Sequence, residues 1–493
     1  MHSMHTVLMH TPFFPAFRCR LAALGRRSAR SLRQSTLHQI QLHLREALPS
    51  WLLSAQEQGP NSRNRVFSLR LTFECFVWQL LNPHTSCREV VRHVQSLFRL
   101  QGRHWVDESD SAYVQARQRL PKERLEKALS ATAQAAERRA GSSGGRLSGR
   151  PVKVVDGSTT QLPDTAANQK RYPQPTGQKP GCGFPMLRFV AVLSLNSGAI
   201  LQTAMDSLRS HDLRLFRRLW HCLHRGDIVL GDRAFGEYST LAMLPQQGVD
   251  VVARLHHRRQ VDFRKARRLA KGDGLFVWTK GYEQSGLSSP GYWRRMPGQI
   301  TVRIIRFTAN IRGFRHRRIT LVTTLLDPLC YPAEQIAGLY ARRWSLELCF
   351  RDLKATLGME QLRCQSPEMA QKELLTYLVA HNLVRCVMAE AVARYSVKME
   401  RVSFKGSLDA LRQYSAAISQ APNQKLRRQL WEDLLCILAR DLVPPRPGRR
   451  EPRAVKHRPK AYPLLNKPRR DFIEISHRSR YWKGRRRHYR GLN

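Results

Sequence analysis

The stretch Leu339–Lys354, LYARRWSLELCFRDLK, places a Tyr, an Arg, a Glu and a Lys at telling intervals. An α-helix turns about 100° per residue, so with Tyr340 at zero Arg343 falls near ~300°, Glu347 near ~340° and Lys354 near ~320°. The four share an arc of roughly 60°. Leu339, Leu346, Phe350, Leu353 and Leu357 make an apolar stripe beside that arc. Asp352, the nearest rival acid, falls near ~120° and faces away. One long helix opened by Pro332 can therefore pack one edge into a core and aim a single carboxylate, flanked by cations, outward.

Two more acids stand out upstream. VKVVDGST places Asp156 where an apolar run gives way to a Gly turn, and DIVLGDRAFG repeats that setting for Asp232. Asp favours turns, so either one alone reads as an ordinary turn residue. With Glu347 they make a different set: two strand-end aspartates and a helix glutamate. Three carboxylates are hard oxygen donors of the kind Mg2+ takes, with Mn2+ as a substitute. A pair of such ions can serve both the attacking and the leaving oxygen of a displacement at phosphorus.

The charge balance makes that chemistry plausible on nucleic acid. The chain has 493 residues, 84 Lys+Arg against 37 Asp+Glu, and a net charge of +47. So basic a chain is matched to a polyanion, DNA first and an anionic membrane surface second. No apolar run reaches the ~18 residues of a membrane span, so no membrane partner is expected. The ten cysteines show no CxxC pair and no zinc spacing, which suits free thiols in a reducing cytosol. The first 45 residues lack acids, as organellar transit peptides do, but Pro12 and Pro15 interrupt any amphipathic helix there.

Five regions follow from pattern and punctuation. Residues 1–33 read as a basic arm. Residues 34–140 read as a helical, DNA-binding unit, with Asn82-Pro83 as a breaker, Ser86 and Glu89 as a capping box, and Pro121 opening the next helix. Within it, Tyr113, Gln115, Arg117 and Gln118 have side chains suited to base edges and phosphates, or form a plain exposed face. GSSGGRLSGRP at 141–151 reads as a linker. Residues 152–443 alternate strands and helices, giving an α/β class with a mixed sheet. Residues of about 258–318 break that order as a basic, β-rich insertion. Residues 444–493 form a basic tail.

The motifs VVDGST, GDRAFG and above all Y-x2-R-x3-E-x6-K resemble those of insertion-sequence DDE transposases of the IS-four type, which carry a β-strand insertion. YPQPTGQKPGCGFP and RPKAYPLLNKPR are similar to further stretches of that family. The resemblance spans roughly Ser35 to Arg470. It implies an RNase H-like core and metal ligands at Asp156, Asp232 and Glu347. It also implies contacts from Tyr340, Arg343 and Lys354 to the transposon-end backbone. Gln178 and Lys179, in the Pro/Gly loop, are further candidates to touch the DNA end. The implied activity is cleavage at the element's ends and joining of the 3′ hydroxyl to target DNA, by way of a hairpin or another route. The implied partners are transposon-end and target DNA and at least a homodimer on synapsed ends; the implied setting is the bacterial cytoplasm, at the nucleoid.

Two rivals keep the basic surface and lose part of that chemistry. A non-catalytic nucleic-acid-binding protein would have no use for the acid triad, and a hydrolysis-only nuclease would cut without joining.

Weaker candidates have plainer readings. Asp164 and Asp227 read as turn residues, and Trp344 reads as packing. His256 and His257 read as an exposed loop. Trp278 and Trp293 read as buried in the insertion, with base stacking as the alternative.

Overall fold

A computed structural model describes residues 47–54, 65–100, 102, 106–141, 144–281, 290–309, 317–444 and 464–472. The arm at 1–33, the terminal GRRRHYR and most of the tail lie outside those residues.

The first helices are α1 (Leu69–Leu81), α2 (Cys87–Leu100), α3 (Ser111–Arg119) and α4 (Lys122–Ala140). Asn82 ends α1. The expected capping box is formed: Glu89 N donates to Ser86 Oγ at 3.2 Å, and Ser86 N donates to Glu89 Oε2 at 3.4 Å. One expectation about α3 fails for part of its face. Tyr113 is fully buried and donates to Gln79 Oε1 at 3.0 Å. The Arg117 guanidinium lies over the Phe76 and Tyr113 rings, 5.0 and 5.2 Å from their centres. These two residues hold α3 on α1, and of the four candidates Gln115 and Gln118 are the exposed ones.

The sheet follows: β1 (Arg146–Leu147), β2 (Arg150–Gln161), β3 (Met186–Ser194), β4 (Ile200–Ser207), β5 (Ile228–Gly231) and β6 (Asp250–Arg254). Short helices α5 (Ala166–Arg171), α6 (Asp212–Arg217) and α7 (Tyr238–Met243) connect them. The strand order β4-β3-β2-β5-β6 has β2, β3 and β4 antiparallel and β2, β5 and β6 parallel. That is the RNase H-like arrangement of a mixed sheet. The stretch expected to be a β-rich insertion holds strands β7 (Arg267–Ala270), β8 (Asp273–Thr279) and β9 (Gln299–Ala309) and helix α8 (Pro290–Arg295), with β10 (Arg317–Thr323) directly after it. It extends the same sheet, because β10 pairs with β6 on one side and β9 on the other. The buried Arg303 pins it, donating to Asp273 Oδ1 at 2.8 Å and to the Tyr331 carbonyl at 2.7 Å.

The chain closes with α9 (Ala333–Ala341), α10 (Trp344–Arg351), a π-helical turn at Asp352–Thr356, α11 (Pro367–Tyr395), α12 (Phe404–Gln420) and α13 (Gln424–Arg440). The long helix α11 is buried along most of its length, packed mainly on α4 and also against α13, α1, α12 and β4. Asn382, fully buried in it, accepts from Ile200 N at 2.8 Å and donates to Ile200 O at 2.9 Å, joining helix to sheet. One apolar cluster includes Leu129 of α4, Val154 of β2 and Leu378 of α11, so the N-terminal helices share the sheet's core. Among the described residues no helix is long and apolar enough to cross a membrane, and the cysteines are free thiols.

Candidate active site

Side chains on successive strand residues point to opposite faces. In β2, Val154 belongs to the core under α11 and Val155 to the core under α6. Asp156 therefore faces the side that carries α9 and α10, and Gly157 faces α6. Asp156 does not end its strand as the Gly turn suggested. β2 runs on to Gln161, held by its antiparallel pairing with β3, where Asp156 lies opposite Ala191. What stops is the other neighbour: pairing with β5 ends at Val154–Leu230. Asp156 thus stands where one flank of the strand opens. Asp232 directly follows β5, and its Oδ1 accepts from Ala234 N at 2.8 Å.

The helix carrying Glu347 is not the single rod that the 100° wheel assumes. It breaks at Arg342–Arg343, whose N–H groups bond back three residues to Leu339 and Tyr340. It then widens to the π turn at Asp352–Thr356. Both ends are anchored nonetheless. The Phe350 ring meets Phe189 of β3 edge-on at 5.5 Å. Asp352 is buried, its Oδ2 3.6 Å from Arg385 Nη2 of α11. Buried Cys349 Sγ lies 3.4 Å from His381 Nε2 of the same helix. Past the π turn, Thr160 Oγ1 donates to Met359 O at 2.6 Å and Leu362 N donates to Gln161 O at 2.9 Å. The strand bearing Asp156 and the helix bearing Glu347 are thereby fastened together.

Arg343 joins the two acids. Its Nη1 is 3.2 Å from Asp156 Oδ2, and its Nη2 is 2.9 Å from Glu347 Oε1. Burial pushes the Asp156 carboxyl up to about 6; the nearby charges of Asp232 and Glu347 add to this, while the Gly157 N–H and Arg343 oppose it. All three predicted acids therefore share one electrostatic neighbourhood. They are not gathered into a closed ligand cage: among the described residues no three His, Cys, Asp or Glu side chains are grouped to hold an ion as they stand. Three carboxylates with one buried member are still the right donor set for a hard divalent cation.

Tyr340 is buried, its ring 5.9 Å from the Arg343 guanidinium. Burial raises its hydroxyl pKa, and the charges of Arg343 and Arg254 oppose that shift. Lys354 lies in the π turn and is half-buried; burial lowers its pKa, with Glu360 as its opposing charge. Gln178 and Lys179 are exposed, and their carbonyls accept from Gln174 Nε2 at 3.1 and 2.8 Å. Gln174 thus orders the Pro/Gly loop, in which a side chain at Gly181 would meet Pro468 of RPKAYPLLNKPR at 3.0 Å.

Asp164 accepts from Gln169 and Asp227 from His224 N, both as local turn contacts. His256 and His257 lie on the loop after β6, their rings 4.3 Å apart and tilted by 31°. Trp278 and Trp293 pack beside Tyr238 and Met296. The Trp344 side chain lies outside the described residues.

One acid escaped the sequence reading. Asp212, at the first position of α6, presses its carboxylate against Gly157: a Cβ there would meet it at 3.0 Å. Its Oδ1 is buried without a hydrogen-bond partner, 3.5 Å from Arg188 Nε. Burial raises its pKa, Arg188 and His211 oppose the shift, and Asp232 adds to it. The only local signal was the rule linking Asp to helix starts, which also describes many inert residues.

A strand aspartate, an aspartate after the neighbouring parallel strand and a helix glutamate on an RNase H-like sheet make the arrangement expected of a DDE-type nucleic-acid enzyme. Comparison with known proteins agrees. Residues 147–383 match the family model described as Transposase DDE domain. Over 411 residues the chain is 26% identical to Transposase InsG for insertion sequence element IS4 of Escherichia coli strain K12, covering 82% of this chain and 89% of that one. A 64-residue stretch, 13% of this chain and 17% of the relative, is 39% identical to the Escherichia coli K12 putative transposase InsL for insertion sequence element IS186A. A piggyBac transposase in a synaptic complex with hairpin DNA aligns at a TM-score of 0.38 and 9% identity, over 83% of this chain and 85% of that one, too distant to carry an argument. Residues 147–383 form a transposase DDE domain, and over most of its length the chain is similar to an IS4 transposase. It is a DNA transposase, a DNA-binding enzyme of a class that depends on divalent metal.

Proposed function

We propose that Asp156, Asp232 and Glu347 hold Mg2+, or Mn2+ in its place, and that the enzyme cuts at the ends of its insertion sequence and joins the freed 3′ hydroxyl to target DNA. The observation that carries this is the Arg343 fork, which brings together acids on β2 and α10, with Asp232 acting on the same buried carboxyl. The bound cation supplies Lewis-acid stabilisation of charge on the oxygens entering and leaving phosphorus. The chain's own residues position the DNA. Arg343 offers a planar fork to a backbone phosphate, Lys354 a point charge and Tyr340 a hydroxyl donor. Gln178 and Lys179, on their ordered exposed loop, extend that contact outward. Two ends must be held for joining, so the working form is a homodimer or larger assembly on DNA. A bacterial relative and so basic a charge balance support a cytoplasmic, nucleoid-associated enzyme.

The test uses the full-length chain and a duplex taken from the DNA flanking its own gene, with Mg2+ or Mn2+. Asp156→Asn, Asp232→Asn and Glu347→Gln should each lose cleavage by roughly a thousandfold or more, as when an essential group is removed, and should still bind the duplex. Full cleavage by any of the three would remove that residue from the site. Cleavage without joined product would make the protein a hydrolysis-only nuclease, and metal-independent binding alone would leave only the rival binder.

A further inference from the structure

We propose that Arg343 is an internal counter-cation that closes the carboxylate site until a DNA phosphate takes up its guanidinium, so that DNA engagement and divalent-cation binding are coupled. This rests on the proposed roles of Asp156 and Glu347 and adds a regulation to them.

Three observations carry it. First, one guanidinium is shared between two acids from distant elements, at 3.2 and 2.9 Å. Two carboxylates that share one guanidinium are partly neutralised, and each has one oxygen turned to its N–H groups, which weakens their pull on a metal ion. That accounts for acids that lie in one neighbourhood without forming a cage among the described residues. Second, Arg343 sits at the break between α9 and α10, where the backbone bonds back three residues, not four. Its position is a joint, outside either regular helix. Third, the fork is asymmetric. The Arg343 and Asp156 side chains are 12% and 22% exposed, whereas Glu347 is 48% exposed. Arg343 Nε is buried without a hydrogen-bond partner. The guanidinium is therefore incompletely satisfied where it is, and its Glu347 arm borders solvent.

Guanidinium keeps its charge at any working pH and matches phosphate geometry in a bidentate way. A phosphate approaching from the Glu347 side competes directly for the fork. When it takes Arg343, two carboxylates lose their counter-charge together and a divalent cation replaces it. By linkage, the cation strengthens DNA binding by the same factor that DNA strengthens cation binding.

The test measures Mn2+ binding to the full-length chain, by the electron paramagnetic resonance signal of free Mn2+ and by the Mn2+-induced rise in melting temperature. Without DNA, Arg343→Ala and Arg343→Gln should each bind Mn2+ at least about tenfold tighter than the wild type, the removal of a bound competitor. The double variant Arg343→Ala/Asp156→Asn should lose that gain. Adding the duplex from the gene's flank should tighten Mn2+ binding to the wild type and leave Arg343→Ala unchanged. Equal Mn2+ affinity in wild type and Arg343→Ala, with loss in Asp156→Asn, overturns the counter-cation and leaves the metal reading standing. Binding that is indifferent to Asp156→Asn and Glu347→Gln overturns both. A duplex effect of the same size in wild type and Arg343→Ala overturns the coupling.

Discussion

Arg343 and Asp156 are separated by 187 residues of chain, yet their side chains meet at 3.2 Å. That contact fastens the helix bearing Glu347 to strand β2, and with Glu347 it sets one cation between two acids. It also explains why Asp156 can remain in a largely buried position: its nearest cation is supplied by another element.

The first prediction concerns that burial. The Asp156 carboxyl titrates near 6 in the folded protein and near ~3.9 in an unfolded chain. Between those values the native state holds a proton that the unfolded state releases. The stability this confers is full below about pH 4 and is lost as pH rises through about 6. In chelator, Asp156→Asn should therefore stabilise the protein at about pH 7.5, by on the order of 2–3 kcal/mol. The gain should shrink towards zero near about pH 4. Urea denaturation at a series of pH values checks it, and a pH-independent difference would contradict the buried-charge account.

Gly157 and Asp212 make a steric pair. A methyl at 157 would meet the Asp212 carboxylate at 3.0 Å. Gly157→Ala should cost about 1–3 kcal/mol, the usual range for overpacking. Asp212→Ala should relieve part of that cost in the double variant, whereas Asp212→Asn, the same size, should not. A double-mutant cycle read by thermal melts measures the coupling.

The insertion depends on one buried ion pair. Arg303 and Asp273 are almost wholly enclosed, and Arg303 also donates to the Tyr331 carbonyl. Arg303→Met strands the Asp273 carboxylate and should cost about 3–5 kcal/mol. Arg303→Met with Asp273→Leu should recover much of the loss. Hydrogen exchange across β8 and β9 would localise the effect; uniform exchange across the core would assign it elsewhere.

For DNA, salt gives the readout. Affinity should fall by roughly a thousandfold or more between about 50 and 200 mM salt if six or more phosphates are contacted. Lys354→Ala should weaken binding and lower the slope of log affinity against log salt by about one. An unchanged slope would remove Lys354 from the phosphate contacts.

Some of this was legible without coordinates. The capping box at Ser86 and Glu89 formed because it depends only on residues three apart. Asp232 stands at a strand end, as its apolar run and following turn predicted. Asp156 was misplaced along its strand because Gly157 looks like a turn residue; the strand continues on pairing with β3, which no local pattern records. The helix break at Arg342–Arg343 left no trace because Arg is a good helix former. Tyr113 and Arg117 read as base contacts or as part of a plain exposed face, but only packing reveals which way a face turns. Asp212 was hidden by its ordinary place at a helix start.

Sequence by itself determined the chemistry available: a polycation with a few acids set at strand and helix positions, and a signature that resembles that of DDE transposases. Charge, periodicity and short-range capping are properties of neighbours in the chain, so they can be read from it. Tertiary structure alone decided that Arg343 lies between Asp156 and Glu347, that Asp212 fills the space beside Gly157, and that the insertion continues the catalytic sheet. Those are contacts between residues tens to hundreds of positions apart, and their geometry is set by how strands register and helices pack.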